Sequence, residues 1–125
     1  MKLKELAYIH AEAYPGGELK HGPLALIDDV TPTVAFLPGG EAGAKLLSNL
    51  AEIRARGGKI FLFHDVSVAI PPGLVDHALA LPGFHPDLAP LVYAPLGQLL
   101  AYHTALTLGT DIDQPRNLAK SVTVE

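Results

Sequence analysis

The chain has 125 residues, 49% of them hydrophobic, which is enough to build the core of one domain over residues 1–125. Thirteen acidic against nine basic residues give a net charge of -4 with no basic cluster, so nucleic acid is not an expected partner. The absence of cysteine excludes disulfides, thiolate metal sites and a thiol nucleophile, and it fits a reduced cytoplasmic setting.

The first third of the chain predicts a helix, a loop and a strand. Steps of three and four from Leu3 to Ala13 predict a helix over residues 2–14, which Pro15-Gly16-Gly17 ends. A loop containing His21 leads into a short helical turn that begins at Pro23. Residues 33–37 form a short apolar run between prolines and predict a buried strand.

The remainder predicts two longer helices and two further strands. Leu residues at helical spacing predict a helix over 41–56, and Gly57-Gly58 tolerates the positive φ needed at its end. Residues 59–63 predict a second buried strand, and residues 75–81 a weak third strand or edge. A long helix capped by Asp87 and closed by Gly109 follows, then a short helical piece near 115–120.

This order of elements predicts an α/β fold. Helices that alternate with strands are typical of a parallel sheet covered by helices on both faces. We therefore expect a three-layer αβα sandwich with a mostly parallel, flavodoxin-like sheet that lacks its first strand and turn.

The uncharged run at 88–110 is long enough to cross a bilayer. It contains two prolines, Gln98, His103 and three threonines, whose polar groups a lone span would have to satisfy in lipid. A helix buried in the α/β domain or against a second copy is the favoured interpretation, and no membrane partner or secretory signal is expected.

Spacing alone identifies few chemical sites. Pro38-Gly39-Gly40 before a helix resembles an anion-binding turn, but Glu41 opposes an anion and tight strand-to-helix geometry explains the glycines. None of the six histidines forms a pair at metal-binding helical spacing, so no metal is expected. Lys2 and Glu5 share a helix face, and without further information they are an exposed ion pair.

Longer sequence segments carry a resemblance to a known family that covers most of the chain except residues 65–87. They are LKE at 3–5, YIHAEAY at 8–14, GELKHGPLALI at 17–27, RARGG at 54–58, QLLAYH at 98–103, GTD at 109–111 and DQPRNLAKSVTVE at 113–125. These segments closely resemble the C-terminal SIS (sugar isomerase) subdomain of glutamine–fructose-6-phosphate aminotransferase, also called glucosamine-6-phosphate synthase. The ending at 109–125 is specific to this enzyme among SIS proteins.

The resemblance implies an activity and a set of site residues. The family makes glucosamine 6-phosphate from fructose 6-phosphate and glutamine-derived ammonia, and no cofactor is expected. By position, Lys120 matches the Schiff-base lysine, Glu5 the base that moves a proton between C1 and C2, and His21 the ring-opening histidine. Lys2 matches a lysine that assists proton transfer, and Ala119 a substrate-binding position.

The chemistry is consistent with these roles. An imine forms only from a neutral amine, so Lys120 would need burial or a nearby cation such as Lys2 to lower its pKa. Imine formation makes the neighbouring C–H acidic, so that a carboxylate held over both carbons can transfer the proton. Imidazole both accepts and donates near neutral pH, as opening the sugar ring requires.

The resemblance also implies that parts are missing. The chain contains no glutaminase domain and no second SIS subdomain, and Pro15-Gly16 stands where the family usually has two small residues. We expect a partial SIS domain that acts as a homodimer with those parts. The alternative is a sugar-phosphate-binding or dimerisation module without turnover when the chain is isolated.

Overall fold

The computed structural model describes residues 1–116 and divides the chain into two compact units. One unit comprises Met1–Ala13 and the chain from Leu91 onward, and the other comprises Tyr14–Pro90. In chain order the elements are α1 (Lys2–Leu6), 3-10 helices at Gly16–His21 and Pro23–Leu26, β1 (Thr33–Leu37), α2 (Gly40–Ala55), β2 (Ile60–Asp65), β3 (His77–Leu81), a 3-10 helix at Pro86–Leu88, and α3 (Ala89–Leu108).

The sheet of the second unit is parallel, as the sequence predicts. Within residues 1–116 it has three strands in the order β1-β2-β3, and Phe36 pairs with Phe63 in the first register and Phe61 with His77 in the second. The predicted weak third strand is present, and four of its five residues are exposed. These observations confirm the α/β class and the parallel sheet.

The core of this unit lies between one face of the sheet and α2. Leu37 and Ile60 are fully buried on the sheet, and Leu50 and Ile53 meet them from α2. The helix forms because its leucines recur on one face, and this apolar face covers the strands. Burying each such side chain contributes about 1.5–3 kcal/mol, so this layer is the main source of stability in the unit.

The opposite face of the sheet is only partly buried. Phe36 and Phe63 stack with ring centroids 5.4 Å apart, and Phe61 stacks on His77 at 5.0 Å. Phe61 is nevertheless 39% exposed, so burial alternates along most of β2. The apolar run in the sequence predicts a strand that is buried along its whole length. Cross-strand aromatic pairs still stabilise this face.

Glycines end both long helices, as predicted. Gly57 and Gly109 have positive φ of 81° and 69°. After α3, the Gly109 N–H donates to the Leu106 carbonyl and the Thr110 N–H to the Ala105 carbonyl, both at 3.1 Å. This pair of bonds is the Schellman motif, which satisfies carbonyls that a helix end would otherwise leave unpaired.

The helix predicted over residues 2–14 is wrong beyond Leu6. Tyr8 adopts a positive φ of 56°, which does not continue an α-helix. The Thr110 hydroxyl donates to the Leu6 carbonyl at 2.7 Å, and a continuing helix would use this carbonyl to pair with the backbone N–H of His10. The end of the helix thus coincides with a contact from 104 residues away, which local periodicity cannot reveal.

The start of α3 also differs from the prediction. Asp87 does not cap the helix but lies inside the preceding 3-10 helix, where its N–H donates to His85 Nδ1 at 3.3 Å. Pro95 lies inside α3 without ending it. Tyr93, Ala101 and Ala105 are buried, whereas Leu91 is 72% exposed, so the predicted burial holds for one side of the helix. None of the helices within residues 1–116 combines the length and apolar character of a membrane span.

An ion pair joins α2 to the segment before β3. Arg54 Nη1 donates to both carboxylate oxygens of Asp76 at 3.1 Å, and the Ile60 N–H donates to Asp76 Oδ2 at 2.7 Å. The hydrogen bond from Ile60, together with the Arg54 guanidinium, holds the pKa of Asp76 below its usual range. The stability that this group contributes is therefore complete above the usual Asp pKa of about 3.9 and is lost as the pH falls through the lower pKa of the folded state.

Asp76→Asn is expected to lower the urea midpoint more at about pH 6 than at about pH 3, because at pH 3 the carboxyl is already largely protonated in the unfolded state and part of the stability that its charged form contributes is lost. Urea unfolding of both proteins at the two pH values measures the difference. The exposed Asp29→Asn serves as the control. An Asp76→Asn effect of equal size at both pH values would contradict the assignment.

Candidate active site

Lys2 and Glu5 lie together on α1, as their spacing predicts. The Lys2 Nζ donates to Glu5 Oε2 at 3.1 Å, and the two side chains are 56% and 36% exposed. The backbone N–H groups of Lys4 and Glu5 both donate to the Met1 carbonyl, which holds this first turn in shape. An exposed pair of this kind contributes at most about 1 kcal/mol to stability. The fold therefore does not depend on the Glu5 carboxylate, which can take part in binding or catalysis.

An apolar groove lies beside this pair in the same unit. Its volume is about 500 Å³, and Lys2 lines it together with Leu6, Pro95, Gln98, Leu99 and Tyr102. Lys2 contributes a positive charge and Gln98 an amide to an otherwise hydrophobic lining. An apolar lining with a few polar groups is a common property of ligand sites.

The other predicted residues lie in the second unit or outside the described part of the chain. His21 is the last residue of the 3-10 helix Gly16–His21 in the second unit, where it is exposed and precedes Gly22 with its φ of 140°. Lys120 and Ala119 lie outside residues 1–116. A site that joins Lys120 to Glu5 therefore stays a prediction.

The remaining histidines do not form a metal site in the described residues. His10 and His103 are exposed. His64 is buried at the end of β2, and its Nδ1 lies 2.9 Å from the Asp65 carbonyl oxygen. Residues 1–116 contain no group of three His, Asp, Glu or Cys side chains placed to hold a metal ion.

Asp65 is a notable residue that the sequence reasoning missed. It lies at the carboxyl end of β2 and is 3% exposed. The Ser67 hydroxyl and the Ser67 N–H, with a weaker bond from the Phe84 N–H, hold the pKa of Asp65 below its usual range. Polar side chains at the carboxyl ends of parallel strands commonly line ligand sites. The sequence signal that could have identified Asp65 is its position shortly after an apolar run that predicts a strand.

The turn at Pro38-Gly39-Gly40 lies at the same end of the sheet. A Cβ on Gly39 would lie 3.2 Å from Ser67 Oγ and 3.6 Å from Asp65 Cγ. Close packing therefore explains the glycine, and the neighbouring carboxylate disfavours an anion here. This agrees with the interpretation that the glycines serve the tight strand-to-helix connection.

Comparison with known proteins places this geometry in a family. The SIS domain matches residues 1–108. A glutamine–fructose-6-phosphate aminotransferase (isomerizing) of Sphingobium yanoikuyae is 53% identical over 127 aligned residues, which cover 100% of this chain and 81% of that protein. The chain belongs to the SIS domain family, among the glutamine–fructose-6-phosphate aminotransferases.

Longer relatives carry the same name. The SIS protein of Pseudomonas aeruginosa is 55% identical over 125 residues and that of Escherichia coli 54%, and in both the alignment covers 100% of this chain and 20% of the relative. This SIS chain thus spans about a fifth of the length of those relatives.

A solved SIS structure has the same fold. The C-terminal domain of glucosamine-fructose-6-phosphate aminotransferase from Francisella tularensis matches with a TM-score of 0.84 and 52% sequence identity. The match covers 91% of this chain and 32% of that one. The predicted SIS-type fold is therefore confirmed.

Proposed function

We propose that this chain forms part of the isomerase site of a glutamine–fructose-6-phosphate aminotransferase, which converts fructose 6-phosphate and glutamine-derived ammonia into glucosamine 6-phosphate. The observation that supports this most is the identity of 55% to a protein of that name, maintained over all 125 residues. It extends over the segments that contain Lys2, Glu5, His21 and Lys120.

The proposed reaction begins with the opening of the sugar. His21 transfers the proton that opens the ring, which exposes the ketone at C2. The Lys120 amine attacks this carbon and forms an imine with loss of water. Ammonia then adds to the imine carbon, and Lys120 leaves as the free amine.

Glu5 then moves one proton. Its carboxylate takes a proton from C1 of the imine while the imine nitrogen is protonated, which gives an enaminol, and it returns the proton to C2. The C1 hydroxyl then releases the proton that replaces the one taken up by the nitrogen. This leaves an aldehyde at C1 and an amine at C2, which is the open-chain form of glucosamine 6-phosphate. The 3.1 Å contact of Glu5 with Lys2 supports this role, because the cation orients the carboxylate and offsets negative charge that develops on the sugar.

The proposal includes partners and a location. A second SIS subdomain and a glutaminase domain would supply the phosphate-binding loop and the ammonia. We also propose a homodimer in the cytoplasm, in which His21 reaches the site of the partner subunit. The exposure of His21 and the apolar surface of α3, where Leu91, Leu99 and Leu106 are at least half exposed, are compatible with such an interface.

Covalent trapping tests the proposal. Incubation with fructose 6-phosphate and borohydride is expected to give a reduced adduct on Lys120, located by mass spectrometry of peptides. Lys120→Arg is expected to lose this adduct, whereas Lys59→Arg, which changes an exposed lysine before β2, retains it. Adducts spread equally over several lysines, or none at all, would contradict the proposal.

A second candidate is a module that binds sugar phosphate or dimerises without turnover. The exposed leucines of α3 favour it, because they provide a surface for association that requires no chemistry. In the same experiment, a chain that binds fructose 6-phosphate or dimerises but gives no adduct on Lys120 would support this candidate.

A further inference from the structure

The 3-10 helix Gly16–His21, which ends in the proposed ring-opening histidine, is held against α2. Asn49 Nδ2 on α2 donates a hydrogen bond to the Gly16 carbonyl at 2.8 Å, and this bond is partly buried. The approach is close, because a Cβ on Gly16 would lie only 2.5 Å from Leu46 Cδ1 and 3.3 Å from Asn49 Nδ2. The first residue of the 3-10 helix is therefore attached to α2 by a hydrogen bond and by packing.

A second contact holds the other end of this 3-10 helix. Lys20, the residue before His21, forms an ion pair with Glu52 of α2, in which Lys20 Nζ lies 2.6 Å from Glu52 Oε1. Glu52 follows Asn49 by three residues, so both lie on the same face of α2. Between the two contacts, Leu19 packs against the hydrophobic core of the unit. The segment is thus attached along its whole length up to the residue before the histidine.

The 3-10 helix needs these contacts because it has little stability of its own. It has six residues, whereas 3-10 helices longer than three or four residues are uncommon, and its first two residues are glycines. After His21 the chain turns at Gly22, whose φ of 140° is strained for residues other than glycine. His21 itself is exposed, so its imidazole is positioned mainly through the backbone that carries it.

We propose that Asn49 is a positioning residue that holds the Gly16–His21 helix on α2 and thereby sets the place of the His21 imidazole, with Glu52 in a supporting role. This inference rests on the proposed function, since it takes His21 as the group that opens the sugar ring. Asn49 acts through His21 and needs no contact with the sugar. Its loss leaves the Gly16 carbonyl without its partly buried donor, whereas loss of an ion pair as exposed as that of Glu52 costs little.

The chemistry of ring opening makes the place of the imidazole important. The imidazole takes the proton of the C2 hydroxyl, the bond from C2 to the ring oxygen breaks as the C2 ketone forms, and the ring oxygen receives the proton and becomes the C5 hydroxyl. Each transfer needs a heavy-atom distance of about 2.6–3.2 Å between imidazole and sugar. A displacement of about 1 Å can slow such a step by about 10²-fold. A contact on α2 that fixes the histidine therefore affects the rate.

Three substitutions on α2 test this role. Asn49→Leu removes the N–H donor and keeps a side chain of similar size, whereas Asn49→Gln keeps the donor. Glu52→Gln removes the charge that pairs with Lys20. Two controls lie on the same helix: Ser48→Ala removes a polar group from the exposed neighbour of Asn49, and Glu41→Gln breaks a similar exposed ion pair.

The first readout is the attachment of the 3-10 helix, measured on the full chain. Amide hydrogen exchange at residues 18–21 is expected to quicken about fivefold in Asn49→Leu, the factor that corresponds to the loss of one hydrogen bond. It is expected to quicken less in Asn49→Gln and Glu52→Gln and to stay at the wild-type rate in both controls. Exchange in β1 and β2 is expected to be unchanged in all variants, which shows that the unit remains folded.

The second readout is the opening of the sugar ring. The two furanose anomers of fructose 6-phosphate interconvert through the open-chain ketose, so magnetisation transfer between their NMR signals reports ring opening. The wild-type chain is expected to accelerate this interconversion, and His21→Ala is expected to lose the acceleration. Asn49→Leu is expected to reduce it about tenfold, Asn49→Gln and Glu52→Gln less, and the controls not at all. The pH at which the remaining acceleration is half-maximal is expected to match the wild type, because His21 still transfers the proton.

The outcomes distinguish this inference from the proposed function. An Asn49→Leu chain that accelerates the interconversion as the wild type does would overturn the role of Asn49 and leave the proposed function intact. Unchanged hydrogen exchange at residues 18–21, or an equal loss in Ser48→Ala, would also overturn it. Wild-type and His21→Ala chains that behave alike would contradict the role of His21 in the proposed function, and the inference would fail with it.

Discussion

Glu5→Gln is expected to slow the exchange of the C1 hydrogen of the bound sugar with solvent by about 10²–10⁴-fold, the usual contribution of a general base. The amide has nearly the same shape as the carboxylate but cannot accept the proton. The substitution replaces only the exposed partner of Lys2, so the fold is expected to remain intact. Exchange is measured in deuterated water by NMR of the sugar.

The same variant is expected to retain the adduct on Lys120, because imine formation precedes the proton transfer. Glu41→Gln is a matched control, since Glu41 forms a similar exposed ion pair with Lys45 at 2.8 Å on α2 in the other unit. It is expected to exchange at the wild-type rate. Unchanged exchange in Glu5→Gln, or equal losses in both variants, would refute the role of Glu5.

Gly43→Ala is expected to destabilise the second unit by about 3 kcal/mol or more, because the added methyl group has no room. Its Cβ would lie 2.1 Å from the backbone carbonyl oxygen of Pro38 and 3.3 Å from the carbonyl carbon. An Ala inside a helix otherwise stabilises by up to about 1 kcal/mol over Gly, so the sign of the effect reports the contact. Urea unfolding followed by circular dichroism measures it.

Gly17→Ala is the control for this prediction, because a Cβ at Gly17 would meet nothing within 4 Å. It is expected to change the free energy of unfolding by about 0.5 kcal/mol or less. A Gly43→Ala protein as stable as the wild type would mean that α2 can move away from the turn at Pro38.

Features that depend on nearby residues could be predicted from the sequence. The apolar spacing along α2 and the glycine at Gly57 determine its extent, since both act within a few residues. The apolar runs of β1 and β2 likewise predict parallel strands around that helix. The end of the helix at Leu6 could not be predicted, because it coincides with a hydrogen bond from Thr110, which is 104 residues away in sequence.

The candidate site could likewise be predicted only in part from the sequence. The spacing of Lys2 and Glu5 predicts their ion pair, but an exposed pair has no chemistry of its own, so their roles came from the resemblance. Asp65 was missed because its importance depends on Ser67 and on Phe84, whose N–H reaches it from beyond β3.

The brevity of α1 has a consequence for the order in which the protein forms. Five residues are too few to remain helical alone in water, so α1 depends on contacts such as the bond from Thr110. During synthesis its residues are made more than one hundred residues before Thr110. The segment that contains Glu5 therefore cannot complete its final conformation until Thr110 has been made.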